Sequence, residues 1–452
     1  MQSFEINKAD LERIKAALES DDAELEKVLQ EYHASEIAIL FEKLPLEARE
    51  KIINILPSDI ASEVFAEMHE EQDAGELLIS LDPEKRSEII EELDYDDATD
   101  IISQLGEEEQ QEILEDLDHE DATNIRALLS YAEDTAGGLM NSELIKVNIN
   151  HDKKDALDEI IRQSEEMEEF YTIYVVDDAG ILQGLLSIKS IIKAHPHAKV
   201  EDLVIRDFVY VKADLDQEDV AGLISQYNLT TIPVVDDDMK LLGRVTVDDI
   251  MDVMERESTE DILKISGVSE DEELSGNWKD AVKSRLPWLV INLGTAYLAA
   301  SIIRHFDSTV ALLPQIAAYM TIIAGMGGNA ATQSLAVTVR RISLSDLTDA
   351  QAYNTVLKEF LVGLLNGAAN GFIVFLIALF YDADPLLGLV LFLAMTGNLI
   401  IAGLTGSSIP LVLKRVGIDP AVASSIIITT FTDCAGFLLP LWLATKLLLH
   451  HH

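Results

Sequence analysis

The chain has 452 residues and a formal net charge of −48, yet its mean hydropathy is +0.15. One homogeneous soluble domain does not usually combine so large a charge with an apolar average, so the composition excludes that class. The single cysteine, Cys434, excludes an intrachain disulfide and therefore a secreted disulfide scaffold.

The charge divides the chain into an acidic first part and a neutral, apolar second part. Of the 81 acids and 33 bases, eight of each lie from Arg285 onward, which leaves 73 acids and 25 bases in residues 1–284. Such an acidic part repels nucleic acid and pairs with cations or basic partners, so we expect no nucleic-acid partner. The alternative for most of the acids is a solvated surface. The first residues lack the apolar core of a signal peptide, and the closing His residues, 450–452, are interpreted as a tag remnant.

Residues 1–130 are predicted to form an acidic helical domain. Leucines at a recurring spacing of 12 are mostly followed by Pro, Asp or Gly and then by acids: Leu44 and Leu56, then Leu81, Leu93, Leu105 and Leu117. This pattern is typical of short helices that start at the Pro or Asp and stack as a superhelical array. It indicates either a movable acidic module or a generic helical adaptor.

Residues 131–257 contain a second internal repeat. The segment IYVVDDAGILQGLLSIKSII (173–192) aligns without a gap on IPVVDDDMKLLGRVTVDDIM (232–251). Each copy predicts a strand, an acidic turn, a second strand and the start of a helix. The repeat resembles a pair of α/β CBS domains, with copies at about 137–199 and 200–257.

The resemblance to CBS domains implies a nucleotide site in one copy. In that family a Ser or Thr of the second strand and a following Asp hold an adenosine ribose. Thr246 and Asp249 match these positions in the second copy, whereas the first copy has Ser187 and Ser190. Only the second copy keeps the acid, so the resemblance implies a nucleotide site in that copy alone. We expect ATP as its ligand.

Residues 258–284 are predicted to form a charged linker helix that leads into a membrane domain at 285–449. Five apolar stretches reach the roughly 17–25 residues that a spanning helix needs: 286–303, 310–339, 355–381, 386–413 and 420–447. Most Lys and Arg residues that flank the stretches fall on the side of the N-terminal part. The positive-inside rule therefore predicts that residues 1–284 are cytosolic and that the C-terminus is outside.

The polar side chains within these stretches are hydroxyls, amides and one carboxylate, Asp433. A charged Asp persists inside a membrane where it faces a cavity, a partner or an ion. Oxygen donors without a nearby His or Cys pair suit a hydrated hard cation, and Mg²⁺ retains its waters. In a twofold dimer, two Asp433 carboxylates would face each other across the axis and hold the ion through its water shell. The alternative for Asp433 is an interhelical hydrogen bond or an ion pair with Lys358.

The order of an acidic helical domain, a CBS pair, a charged linker helix and five spans resembles the MgtE family of magnesium channels. The resemblance is carried by motifs over nearly the whole chain: YAEDTAGGLM (131–140), VTVDDIMDVMERESTEDI (245–262), GGNAATQ (327–333), LKEFLVGLLNG (357–367), GNLIIAGLTGSSIPLVLKRVGIDPAVAS (397–424) and TDCAGF (432–437). It implies a homodimeric magnesium channel of a bacterial plasma membrane, with its pore on the dimer axis, and not an enzyme.

The resemblance also implies roles for individual residues. The pore set is Asp433, Asn329, Thr332 and Ser425. The acids implied to bind regulatory Mg²⁺ lie at the end of the CBS pair, on the linker or plug helix and on the membrane side: Asp249, Asp252, Glu260, Asp261, Glu359 and Asp419. High cytosolic Mg²⁺ is expected to screen these acids from one another and to close the channel. Many members have Gly at the position of Ala331 and a Gly-Pro break where this chain has Ser425 and Ile426, which leaves the ranking of Mg²⁺, Mn²⁺, Co²⁺ and Ca²⁺ open.

The residues leave three other functions open. A proton-coupled divalent cation transporter would use Asp433 as its proton site. An intramembrane aspartyl protease would need a second carboxylate facing Asp433. A nucleotide receptor without transport would leave the polar residues of the second and fifth stretches without a role.

Overall fold

The protein is described by a computed structural model over residues 8–68, 72–164, 170, 172–268, 278–344, 347–422 and 425–449. The interpreted tag remnant, 450–452, and part of the predicted linker, 269–277, lie outside the described residues. The chain divides into two compact units, Met1–Met254 and Glu255–His452.

Short helices of 7 to 11 residues make up the first unit ahead of its strands. In the described residues they are α1 (Lys8–Leu18), α2 (Asp22–Leu29), α3 (Ala34–Phe41), α4 (Leu46–Ile55), α5 (Ser58–Ala66), α6 (Ala74–Ser80), α7 (Pro83–Glu91), α8 (Tyr95–Ser103), α9 (Glu107–Asp116) and α10 (His119–Leu128). From α2 to α8, each helix packs on the helix two positions later, as in α3 on α5, α5 on α7 and α6 on α8, whereas α1 packs on α2.

The recurring leucines explain this stacking. Leu56, Leu81 and Leu117 each occupy the residue directly after a helix, and all three are buried in one continuous core. The following residue begins the next turn, as at α10, where the Asp118 carboxylate accepts hydrogen bonds from the N–H groups of Glu120 and Asp121. The prediction of stacked short helices is confirmed.

The CBS repeat forms two three-stranded sheets with the same topology. The first contains β1 (Lys146–Asn148), β2 (Ile173–Val176) and β3 (Leu182–Leu186), and the second contains β4 (Val211–Lys212), β5 (Thr231–Val235) and β6 (Leu241–Thr246). In each sheet the first strand is parallel to the second and the second antiparallel to the third. The helices around them are α11 (Lys153–Gln163), α12 (Ile188–Lys193), α13 (Val200–Leu203) and α14 (Gln217–Tyr227).

The two copies agree down to the strand register. Val175 pairs with Gly184 in the first sheet, and Val234 pairs with Gly243 in the second, with a register shift after the pair in both. The copies also contact each other, because the hydroxyl of the fully buried Tyr174 lies 3.1 Å from that of Thr231. The α/β pair predicted from the repeat is confirmed.

Helix α15 (Val247–Ser266) follows the second sheet directly. It begins inside the predicted second CBS copy and ends inside the predicted linker, so it is a single 20-residue helix across that boundary. Asp249 lies in its first turn, and Glu260 and Asp261 lie near its end.

The second unit continues with long apolar helices. They are α16 (Trp278–His305), the short α17 (Asp307–Leu312), α18 (Ile316–Leu344), α19 (Asp349–Tyr381), α20 (Pro385–Val416) and α21 (Ser425–Ala444), with a 3₁₀ turn at Pro420–Val422 and a π-helical turn at Thr445–Leu449. Helix α20 packs on α18, α19 and α21, whereas α16 packs on α21 and leaves most of its apolar side chains exposed.

Among the described residues, four segments are long and apolar enough to cross a membrane: Ala281–His305, Asp349–Tyr381, Pro385–Val416 and Pro420–Leu448. Helix α18 is not one of them, although its 29 residues would extend about 43 Å, more than the thickness of a hydrocarbon core. Its apolar run is interrupted by Asn329, Thr332 and Gln333. Several membrane helices are therefore present, and a fifth span remains a prediction that depends on α18.

Candidate ion pathway and cation-sensing sites

Helices α18 and α21 form a close antiparallel pair that carries the predicted pore residues. A Cβ atom built on Gly436 would lie 2.7 Å from the Cα atom of Ala324, and one built on Gly328 would lie 3.7 Å from Thr429. Later residues of α18 therefore meet earlier residues of α21. Small residues allow two membrane helices to approach in this way, which lets short polar side chains from both lie side by side.

Asp433 lies on α21 and is only partly buried. Within the part of the chain that the structure describes, its carboxylate makes no hydrogen bond or ion pair, so neither alternative for this residue, an interhelical hydrogen bond or a pair with Lys358, is observed there. Asn329 on α18 is exposed, and Thr332 donates to the carbonyl oxygen of Gly328 at 3.1 Å. Ser425 begins α21, and its side chain lies outside the described set.

Asn398 of α20 is a further polar residue at this pair of helices, and the predicted pore set did not include it. Its side chain is fully buried, and its Nδ2 donates to the carbonyl oxygen of Ile323 on α18 at 2.8 Å. Its Oδ1 is buried without a hydrogen-bond partner among the described residues. The signal in the sequence is an amide within an otherwise apolar helix, which is costly in a membrane unless it holds a neighbouring segment.

Gly327 is the residue that makes room for this amide. A Cβ atom on Gly327 would lie 2.2 Å from Nδ2 of Asn398 and 3.2 Å from Thr432 of α21. A larger residue there would displace the Asn398 amide from its hydrogen bond or shift a helix, because real Cβ contacts are much longer. Gly327, the first glycine of the GGNAATQ motif, thus lies where α18, α20 and α21 meet, two residues before Asn329.

Acidic residues of α8 and α15 meet in the first unit. Burial, followed by the negative charge of Asp249, raises the pKa of Asp97 to about 8. Burial also raises the pKa of Asp249 to about 6, against the lowering effect of a hydrogen bond from Thr246. The pKa of Asp96 is raised well above its usual range by burial and then by Asp97. We call these residues, with Asp94 and Asp248, the α8–α15 junction.

Sequence reasoning found Asp249 but missed its partners on α8. Glu143 lies at the edge of the same cluster, and burial, followed by the charge of Asp94, raises its pKa to about 7. Asp252, the other acid predicted on this part of α15, is exposed. The paired acids of YDDAT, at Asp96 and Asp97, resemble those of TVDDI, but no local pattern relates two segments about 150 residues apart.

The predicted adenosine residues lie together at the start of α15. The Thr246 hydroxyl donates to a carboxylate oxygen of Asp249, and the Thr246 N–H lies 3.4 Å from the same oxygen. The contact from the Thr246 N–H is one half of a capping box, in which an acid in the first turn accepts from the residue before the helix. The two predicted residues are therefore in contact, and this contact also stabilises the start of the helix without a ligand.

The end of α15 lies beside the loop after α20. The Nζ of Lys264 forms ion pairs with Glu260 and, at 2.9 Å, with Asp419. Ser343 of α18 donates to Asp261 at 3.3 Å. Burial, followed by the charge of Asp419, raises the pKa of Asp261. Three of the predicted sensing acids are thus close to one another, with a lysine among them.

Glu359 is separate from this group. It is buried on α19, and among the described residues it has no hydrogen bond or ion pair with the acids of α15. Within those same residues, no cluster of three or more His, Cys, Asp or Glu side chains is arranged to hold a metal ion. Carboxylates do suit Mg²⁺ chemically, but binding here requires side chains to move or waters to complete the coordination.

Matches to known families cover most of the chain. Residues 32–134 match the MgtE intracellular N domain, residues 136–197 and 200–256 each match the CBS domain, and residues 320–443 match MgtE, described as a divalent cation transporter. Over 449 residues the chain is 35% identical to the magnesium transporter MgtE of Thermus thermophilus, an alignment that covers 96% of this chain and 97% of that protein. The chain belongs to the MgtE family. The magnesium transporter MgtE of Bacillus subtilis is 29% identical and covers 92% of each chain.

Solved structures agree over the first unit. The cytosolic domain of the Mg²⁺ channel MgtE in complex with ATP is 36% identical, covers 54% of this chain and 99% of its own, and superposes with a TM-score of 0.51. The soluble part of a magnesium transporter is 27% identical, covers 56% of this chain and 99% of its own, and superposes with a TM-score of 0.50. MgtE proteins are membrane transporters with an intracellular N domain, so the expectations of a transporter and not an enzyme, and of a cytosolic N-terminal part, are confirmed.

Proposed function

We propose that this MgtE protein is a homodimeric channel that admits Mg²⁺ down its electrochemical gradient and closes when cytosolic Mg²⁺ rises. The observation that carries the proposal is Asp433, a carboxylate in an apolar helix without a protein partner among the described residues. A carboxylate in that position needs a cation, water or a second subunit to offset its desolvation.

The chemistry around Asp433 favours a hydrated ion. Asn329, Thr332 and Ser425 offer amide and hydroxyl oxygens, and Mg²⁺ keeps several of its waters when bound by one or two carboxylates. One Asp433 per chain would become two across a twofold axis, which is the usual symmetry of a homodimer. The largely exposed apolar surface of α16 would lie against lipid or the second subunit.

The positions of the acids support the proposed closure by Mg²⁺. At the α8–α15 junction, the negative charge of Asp249 helps to raise the pKa of Asp97, so the two acids favour separation unless a cation or proton neutralises them. Asp252, Glu260, Asp261, Glu359 and Asp419 are the other acids that we propose for regulatory Mg²⁺. An ion that binds more tightly to the compact arrangement shifts the population toward it.

We further propose that the second CBS copy binds ATP through Thr246 and Asp249. The support is their contact at the start of α15 and the likeness of the first unit to a cytosolic domain solved with ATP. Because Asp249 also belongs to the α8–α15 junction, a nucleotide there would lie next to the acids that respond to Mg²⁺.

The channel is proposed to lie in a bacterial plasma membrane with the C-terminus outside. The flanking Lys and Arg residues support this orientation through the positive-inside rule. Moving two positive charges inward across 100 mV releases about 4.6 kcal/mol, twice the value for one charge. Passive import therefore needs no coupled ATP hydrolysis.

The test is ion flux through purified protein in liposomes, with internal Mg²⁺ stepped from low micromolar to millimolar. The wild type should conduct at low internal Mg²⁺ and close as it rises. Asp433→Asn should change conductance or ion preference at least about tenfold, since one pore charge near a divalent ion is worth more than about 1.4 kcal/mol. Asp307→Asn, an exposed acid between α16 and α18, is the matched control and should leave flux unchanged.

Two results would contradict the channel. If flux follows a pH gradient and internal Mg²⁺ does not close the protein, the proton-coupled divalent cation transporter is favoured. Equal flux and ion preference in the wild type and Asp433→Asn would remove Asp433 from the pathway.

A further inference from the structure

Lys264 joins two acids that belong to different segments of the second unit. Its Nζ donates to Asp419 at 2.9 Å and pairs with Glu260, one turn earlier on α15. The lysine side chain is 18% exposed, so both contacts are partly shielded from solvent. The other oxygen of Asp419 accepts the N–H of Ala421 at 2.8 Å, which fixes that carboxylate in place.

The end of α15 is seated by apolar contacts as well as by charge. Ile265 packs against the core formed by α18, α20, the 3₁₀ turn and α21, including Ala421 and Ile428. On the same face, one turn before Ile265, Asp261 accepts a hydrogen bond from Ser343 of α18. The three carboxylates beside this apolar contact, those of Glu260, Asp261 and Asp419, would repel one another without a positive charge among them.

We propose that Lys264 is a built-in cation that competes with divalent metal for Glu260 and Asp419, and so sets the Mg²⁺ concentration at which the end of α15 docks. The inference rests on the proposed function, because it assigns a regulating residue to the proposed sensor. Lys264 is a positioning residue and is not itself a metal ligand.

Two consequences follow from the position of the ammonium group. Without Mg²⁺, Lys264 links α15 to the loop after α20 and keeps part of the docked state populated. When Mg²⁺ arrives, it must displace the ammonium group or bind near it, and a unit charge about 6 Å from a divalent ion in water opposes binding by on the order of tenfold. Lysine on a flexible stem can swing away, which suits a displaceable cation.

The experiment compares Lys264→Met, which keeps the length of the side chain and removes its charge, with Lys264→Arg, which keeps the charge. Lys283→Met removes an exposed charge elsewhere in the same unit and is the matched control. Hydrogen exchange of residues 255–268 is followed in the full-length protein in detergent while Mg²⁺ is titrated, and flux is measured in parallel.

Without Mg²⁺, Lys264→Met should exchange about three- to fivefold faster than the wild type, since a partly exposed ion pair contributes up to about 1 kcal/mol. Its Mg²⁺ midpoint for protection should fall on the order of tenfold. Lys264→Arg and Lys283→Met should stay within about twofold of the wild type.

The inference is overturned if Lys264→Met keeps the wild-type Mg²⁺ midpoint for protection or needs more Mg²⁺ than the wild type. It is also overturned if Lys283→Met lowers that midpoint as much as Lys264→Met does. If any of these results is found while the wild-type channel still closes as Mg²⁺ rises, the proposed function remains intact. If Mg²⁺ neither protects α15 nor alters flux in the wild type, the sensor of the proposed function and the inference fail together. If protection responds as expected but no flux occurs, only the channel fails.

Discussion

Replacing Asp97 by Asn should stabilise the first unit when divalent cations are absent. An acid whose pKa rises from 3.8 to about 8 on folding opposes folding by about 1.4 kcal/mol for each pH unit above 3.8, which gives about 4 kcal/mol at pH 7. This is an upper value, because part of it is shared with Asp249 and relaxes when either charge is removed.

The sign of the pH dependence follows from the raised pKa. At this residue the folded state binds more protons than the unfolded state, so the contribution of Asp97 to stability is greatest at low pH and falls as pH rises toward about 8. The advantage of Asp97→Asn should therefore be small at pH 5, grow up to about pH 8 and then level off. Mg²⁺ should reduce the advantage, because it stabilises the ionised wild-type acids.

The assay is thermal unfolding of residues 1–268 by circular dichroism in EDTA between pH 5 and pH 9, and again in Mg²⁺. Separately solved cytosolic domains of relatives support the use of this segment. At about 2–4 °C per kcal/mol for a domain of this size, a gain of at least about 4 °C is expected at pH 8. Glu108→Gln, an exposed acid on α9, is the control. A loss of stability in Asp97→Asn, or a gain that does not change with pH, would refute the reasoning.

Two further changes test packing. Gly327→Ala should push α18 away from Asn398 and cost about 1–3 kcal/mol, with reduced flux and a lower unfolding temperature in detergent, whereas Gly325→Ala, which has open space around its Cβ, should change neither. Arg86→Met should destabilise residues 1–268 by about 1–2 kcal/mol in urea unfolding, because Arg86 is buried and bridges Glu112 and Asp116, while those acids are exposed enough to regain water. Equal stability of Gly327→Ala and Gly325→Ala, or no change for Arg86→Met, would contradict the respective argument.

Repeats within the sequence predicted the fold of the first unit. The leucine spacing gave the stacked helices because each leucine both ends a helix and fills the core, as Leu56 and Leu117 do. The ungapped repeat gave the two sheets because Gly184 and Gly243 hold equivalent places in the register. The motifs of the second unit predicted which helices carry the polar residues, and Asp433 and Asn329 do lie on the packed pair α21 and α18.

Contacts between distant segments could not be predicted in the same way. Asp97 and Asp249 are far apart along the chain, and nothing in either local pattern shows that they approach. The approach of Asn398 to Gly327 depends on the rotation of two helices that are apolar on several sides. Lys264 looks like one more charge on a charged helix until Asp419 is placed beside it.

The positions of the acids favour the proposed sensor over a merely solvated acidic surface. Acids that only aid solubility would lie apart in water, but Asp97 and Asp249 are drawn together and partly buried. In the described residues, no Lys or Arg ion pair reaches either of them, whereas at the other end of α15 Lys264 offsets Glu260 and Asp419. We therefore expect the start of α15 to depend on protons or divalent cations for its charge balance, whereas its end has a cation of its own, Lys264. We accordingly expect the α8–α15 junction to respond more steeply to Mg²⁺ and to pH than the contact at Asp419.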